Sequence, residues 1–140
     1  MSYIKVMIHC VWSTKNRAPL LADREMRHVL FNHILTNARS KGVYIDHVGG
    51  EKEHIHCLLS LGSEQSIAKV VQLIKGESSY WLRKEYGKAF SWQDDYFAVS
   101  VGESQLPVVR NYIANQEEHH KRKTYTEEYN EFMERYEFNE

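Results

Sequence analysis

Residues 54–61, HIHCLLSL, form a segment whose two faces differ in chemistry. Strand side chains alternate, so Ile55, Cys57, Leu59 and Leu61 share one face while His54, His56, Leu58 and Ser60 share the other. The apolar row has to lie under helices, which leaves both imidazoles on the opposite, uncovered face. Residues 3–13 alternate in the same way, with Ile4, Val6, Ile8, Cys10 and Trp12 on one side and His9 off it. VYIDHV (43–48) reads as a further strand running into a Gly49-Gly50 turn, and Tyr96 to Val101 as a fourth.

Helical periodicity fills the gaps between these strands. Asp23 can cap a helix with the stripe Met26, Val29, Leu30, Ile34, Leu35 and Ala38, stopping at Lys41-Gly42. Ser63 or Ser66 starts another, burying Ile67, Val70, Val71, Ile74 and Leu82 and ending at Gly87. A third runs from about Gln105 to His119, with Ser104 as a cap and Pro107 tolerated in its first turn. A polar helix over 126–136 follows. The predicted order is β-α-β-β-α-β with two added helices. This is an α+β, ferredoxin-like antiparallel sheet with two helices on one face, a tyrosine-bearing helix and a terminal acidic helix.

With 140 residues and no linker-like tract, the chain fits one domain, 1–125, with 126–140 as its acidic helical tail. No apolar run approaches the roughly 20 residues that cross a membrane. Cys10 and Cys57 sit in apolar runs without metal-ligand spacing, which suits buried thiols in a reducing cytoplasm. The overall charge of −1 hides an asymmetry. The tail holds six Glu and one Arg, leaving 17 Lys+Arg against 13 Asp+Glu in the body. A body of +4 is compatible with phosphate partners without requiring them.

The paired histidines stand about 6.5–7 Å apart at Cα, close enough to converge on one ion through neutral ring nitrogens. A His-x-His alone is weak; a third ligand from elsewhere makes it informative. In the helix over 105–119, Tyr112 and Gln116 lie one turn apart on one stripe. If that stripe meets the histidine face, the Gln116 amide oxygen completes a metal site and holds the Tyr112 hydroxyl beside it. A phenol is a poor nucleophile near its ordinary pKa of about 10, and a cation beside a phosphate offsets that weakness.

Five segments in order, HCVWSTKNR (9–17), EHIHCLLSL (53–61), KGESS (75–79), WQDDYF (92–97) and NYIANQEEHH (111–120), resemble the single-tyrosine HUH transposases of small bacterial insertion sequences. These IS200-like enzymes include the REP-associated tyrosine transposases. The resemblance implies cleavage and rejoining of single-stranded DNA with hairpin ends through a 5′-phosphotyrosine, in a homodimer whose tyrosine helix can complete the partner's site. It implies Tyr112 as nucleophile, His54, His56 and Gln116 as ligands, Mg2+ or Mn2+ as the ion, and no nucleotide cofactor. Lys15, Arg17, Lys75, Ser79 and Arg110 are the candidate DNA contacts. Asp95 stands where the family pattern turns through glycine.

Other classes fit less well. A non-catalytic module that stacks single-stranded nucleic acid needs aromatic residues on the open sheet face, where this strand carries histidines. A two-histidine phosphodiesterase needs two His-x-Ser/Thr motifs, and His54-Ile55-His56 is neither. A domesticated relative that binds hairpins without cutting them is the alternative that keeps every motif.

Overall fold

The computed structural model describes residues 2–87 and 89–138; Asn139 and Glu140, the end of the predicted tail, lie outside the described residues. Its elements are β1 (Met7–Ser13), α1 (Arg24–Ser40), β2 (Tyr44–Glu51), β3 (His54–Ser60), α2 (Ile67–Tyr86), β4 (Phe97–Val101), α3 (Leu106–Ala114), α4 (Gln116–His119) and α5 (Tyr125–Arg135). The four strands form one sheet in the order β2-β3-β1-β4, every pair antiparallel. The β-α-β-β-α-β order is that predicted from the periodicity.

The first strand starts later than its alternation suggests. Met7 pairs with Ser60 and with Val101, the last residues of β3 and β4, so Ile4 and Val6 have no strand to pair with and stand exposed. From Met7 onward every residue of β1 is buried, because both faces of the sheet are covered. Ile8, Cys10, Trp12, Ile55, Cys57 and Leu59 pack under α1 and α2 against Leu30, Ile34, Val71 and Ile74. Asp23 and Ser66 cap these two helices by accepting from Met26 N and Lys69 N, and Gly87 closes α2 in the left-handed region. Cys10 and Cys57 face each other across β1 and β3 as free, buried thiols.

On the other face, Met7 and Leu58 pack against Leu106 and Ile113 of α3. The histidine face is therefore not the uncovered one that strand parity suggests: α3, α4 and α5 roof it, and His54 and His56 are fully buried. The predicted single helix over 105–119 is also broken. A 3-10 turn over Glu103–Gln105 leads into α3, and Asn115 at φ −106°, ψ 24° separates α3 from α4. Tyr112 and Gln116 thus lie on two helical pieces.

Glycine permits the close approach of α3. A Cβ on Gly49 of β2 would lie 2.2 Å from the Ile113 carbonyl oxygen, well inside contact distance. Helix α4 is tied to α1 instead. Glu117 accepts from Arg24 Nε, Arg27 Nη2 and the His28 ring at 2.8, 2.9 and 2.6 Å, and the buried Arg27 also meets Glu51 at 3.1 Å. The turn at Asp95 uses ordinary backbone. Among the described residues, the non-glycine ones with positive φ are Asn16 and Arg17, at 58° and 54°.

Candidate active site

The buried face gathers side chains from β1, β3 and all three roofing helices. His54 donates from Nδ1 to Glu53 Oε1 (2.8 Å), which leaves Nε2 turned toward Gln116 Oε1 at 3.0 Å. The Gln116 amide is oriented by its own Nε2, which donates to the Tyr112 carbonyl at 3.3 Å. His56 lies beside it, with Nδ1 2.9 Å from His9 Nε2 and Nε2 3.0 Å from Glu128 Oε1. His9, off the apolar face of β1 as its parity predicts, thus fixes the ring of His56 from the neighbouring strand.

Glu128 comes from α5, and sequence reasoning missed it by weighing the acidic tail only for its net charge. Its side chain is 3% exposed. Oε1 also lies 3.7 Å from His54 Nε2, while Oε2 accepts from the Tyr112 hydroxyl and from His120 Nε2 at 3.2 Å. A capping box between Thr124 and Glu127 starts α5. Tyr125 stacks on the His54 ring at 4.3 Å, and Arg17 lies over the Tyr129 ring at 4.5 Å. The signals were present: Thr-x-x-Glu at 124–127, and a stripe of Tyr125, Glu128, Tyr129 and Phe132 that places a carboxylate among aromatic residues.

Charge in this pocket follows burial. Burial, then the neighbouring His56, pushes the His9 imidazole down to about 3. Burial likewise lowers His56 to about 4, against the opposing pull of Glu128. Burial alone would raise Glu128, but hydrogen bonds from His120 and His56, with the electrostatic pull of His56 and His54, hold its carboxyl far below the usual range. Burial and then the Glu128 charge push the Tyr112 phenol well above its ordinary value.

These shifts predict an acid-sensitive fold. In the unfolded chain both histidines protonate below their ordinary 6.5, whereas the folded forms stay neutral to about 3 and 4. Their contribution is therefore complete above pH 6.5 and drains as pH falls toward 4, by roughly 2–3 kcal/mol for each histidine at pH 4.5. Thermal melts should hold a steady Tm above pH 7 and decline below 6.5. A Tm flat from pH 7.5 to 4.5 contradicts the assignment.

The other predicted residues are scattered. Arg17 is exposed and joins α5 through Tyr129 and a 3.2 Å bond to Thr126 Oγ1. Lys15 is exposed in the same loop. Arg110 is engaged by Asp46 in a two-pronged pair at 3.0 and 2.9 Å. Lys75 and Ser79 sit on α2, in the layer covering the opposite sheet face, and Lys75 Nζ donates to the carbonyls of Gln93 and Asp94.

Fold and site define an α+β protein with a buried centre of two imidazoles, an amide and a carboxylate beside a tyrosine. A family model described as Transposase IS200 like matches residues 2–116, and the chain belongs to that family. No curated protein matches it. Among solved structures, one from Deinococcus radiodurans R1 assigned as a transposase is similar at TM-score 0.67 and 23% identity, covering 82% of this chain and 93% of that one. A REP-associated tyrosine transposase bound to a REP hairpin is similar at TM-score 0.64 and 18% identity, covering 86% and 72% respectively. Membership supports a transposase role and implies a DNA-cleaving enzyme. No helix among the described residues is long and apolar enough to cross a membrane.

Proposed function

We propose that this chain cleaves and rejoins single-stranded DNA through a covalent link to Tyr112, using Mg2+ or Mn2+ held by His54, His56 and Gln116. One observation carries the reading. His54 Nε2, with its ring proton committed to Glu53 on the other nitrogen, turns a lone pair onto the Gln116 amide oxygen at 3.0 Å. When the His54 ring is neutral, these are two acceptors facing each other in a buried pocket, an arrangement that a cation held between them stabilises. With ligand bonds of about 2.0–2.2 Å, adjacent ligands on one ion stand roughly 3 Å apart, so the donor set fits. An amide oxygen favours a hard cation that also binds phosphate.

When bound, the ion supplies polarisation of the scissile phosphate. The chain supplies the rest. The Tyr112 phenol oxygen forms the new bond to phosphorus, the bond from phosphorus to the 3′ oxygen breaks, and the phenolic proton is matched by the proton gained on the released 3′-hydroxyl. Reversal rejoins the strand without a nucleotide. A cleft of about 380 Å³ lined by Tyr112, Glu128, Glu131, Lys123 and Arg135 leads to the hydroxyl; Lys123 is paired with Glu131 at 2.5 Å, and Arg135 is the cation it offers to an approaching backbone. Of the five candidate DNA contacts, Arg17 is the one packed on α5 beside His54. Arg110 and Lys75 are taken by Asp46 and by loop carbonyls. A homodimer, with each tyrosine helix serving its own or the partner's site, would bring two sites to two hairpin ends.

The high phenol pKa and its bond to Glu128 favour a second reading, a relative that binds hairpins without cutting them. Incubating the protein with labelled single-stranded hairpin DNA and Mn2+ separates the two. A covalent adduct that needs Mn2+ and disappears in His56→Ala is the expected result. Hairpin binding with no adduct supports the second reading, and an adduct unaffected by His56→Ala rules out the metal site. Mn2+ should also raise the Tm of the wild type by several degrees and leave His54→Ala unmoved, as mass action requires of a ligand of the native state. An equal rise in both proteins excludes His54 as a ligand.

A further inference from the structure

We propose that Glu128 is a fourth ligand of the metal site, contributed through Oε1 by a helix outside the span that defines the family. The inference rests on the metal reading above and extends it to a residue the family match, which ends at Gln116, does not cover. His54, His56 and Glu128 each offer one ligand atom, all within 4.8 Å of one another. Oε1 stands 3.0 Å from His56 Nε2 and 3.7 Å from His54 Nε2, the same ring nitrogen that Gln116 Oε1 approaches at 3.0 Å. That spacing suits neighbouring ligands on one ion.

The carboxylate is also aimed. Tyr112 and His120 hold Oε2 from behind, with His119 Nε2 3.3 Å away, so Oε1 points at the imidazole pair. The helix carrying it is fixed by the stacking of Tyr125 on His54 and the edge-on packing of Phe97 against Tyr129. A solvated acidic tail would place its glutamates outward; this one buries a single carboxylate between ring nitrogens. Two neutral imidazoles and an amide leave a divalent ion's charge unbalanced, and a buried carboxylate offsets it.

The test is Mn2+ binding to the full chain without DNA, by calorimetry, for the wild type, Glu128→Gln, Glu128→Ala and His56→Ala. Circular dichroism reports whether each variant is folded. The expected result is a Kd weakened at least about tenfold in both Glu128 variants. Wild-type or tighter affinity in a folded Glu128→Ala overturns the proposal, because the carboxylate would then merely cover the imidazoles. Should Glu128→Ala unfold, Glu128→Gln decides, since it keeps volume and shape but loses the charge: unchanged affinity again overturns it. Wild-type affinity in His56→Ala points elsewhere, since it removes the metal reading itself. Loss in His56→Ala with no loss in the Glu128 variants removes this inference alone.

Discussion

On the proposed reading, Tyr112→Phe should abolish the covalent protein–DNA adduct and lower strand cleavage at least about a thousandfold, as removal of a nucleophile does elsewhere. The substitution takes away one oxygen and leaves the ring, which packs edge-on against His56 and His119. The fold should survive. Glu128 Oε2 loses one donor and keeps His120 at 3.2 Å. Denaturation midpoints of the two proteins should therefore stay close while the adduct vanishes. The same experiment discriminates among the nine tyrosines. Tyr125 stacks on His54 and is buried, whereas Tyr112 is partly open and lines the cleft. An adduct that persists in Tyr112→Phe and disappears in Tyr125→Phe would move the nucleophile to α5.

Gly49→Ala should be nearly as damaging, although Gly49 belongs to no catalytic set. The added methyl would meet the Ile113 carbonyl oxygen at 2.2 Å, and that oxygen is backbone within α3. No side chain can swing aside to make room. Either β2 or α3 must move by about an ångström, and overpacking of this kind costs about 1–3 kcal/mol. Ile113 adjoins Tyr112, so the displacement passes straight to the nucleophile. Misplacement by about 1 Å can cost on the order of a hundredfold in rate. Urea melts and the rate of adduct formation on the same preparation check both parts. Wild-type values for both would show that α3 is not seated where this contact puts it.

The sheet was legible because strand parity is a local property. HIHCLLSL displays both faces within eight residues, and the capped helices show theirs in stripes three and four apart. What parity could not reveal was the roof over the histidines. Whether a face is covered depends on segments 50 to 70 residues further along, and their docking rests on contacts such as Gly49 against Ile113 and Arg27 with Glu117. The break at Asn115 was hidden for a related reason. Residues 105–119 have continuous helical periodicity, yet α4 follows its ion pairs to α1 and not the axis of α3. Glu128 escaped because the tail was judged by net charge. Its position in the stripe Tyr125, Glu128, Tyr129, Phe132 is what marks it as inward.

The centre joins positions 9, 54, 56, 112, 116 and 128, and its hydrogen bond from His56 to Glu128 spans 72 residues of sequence. Contacts of such separation form late, after local helices and hairpins. During synthesis the imidazole pair can be seated in the sheet once β3 has emerged to pair with β1 and β2, whereas the Tyr112 hydroxyl meets its carboxylate only after α5 has. The proposed centre is therefore complete only when α5 has docked beside the sheet.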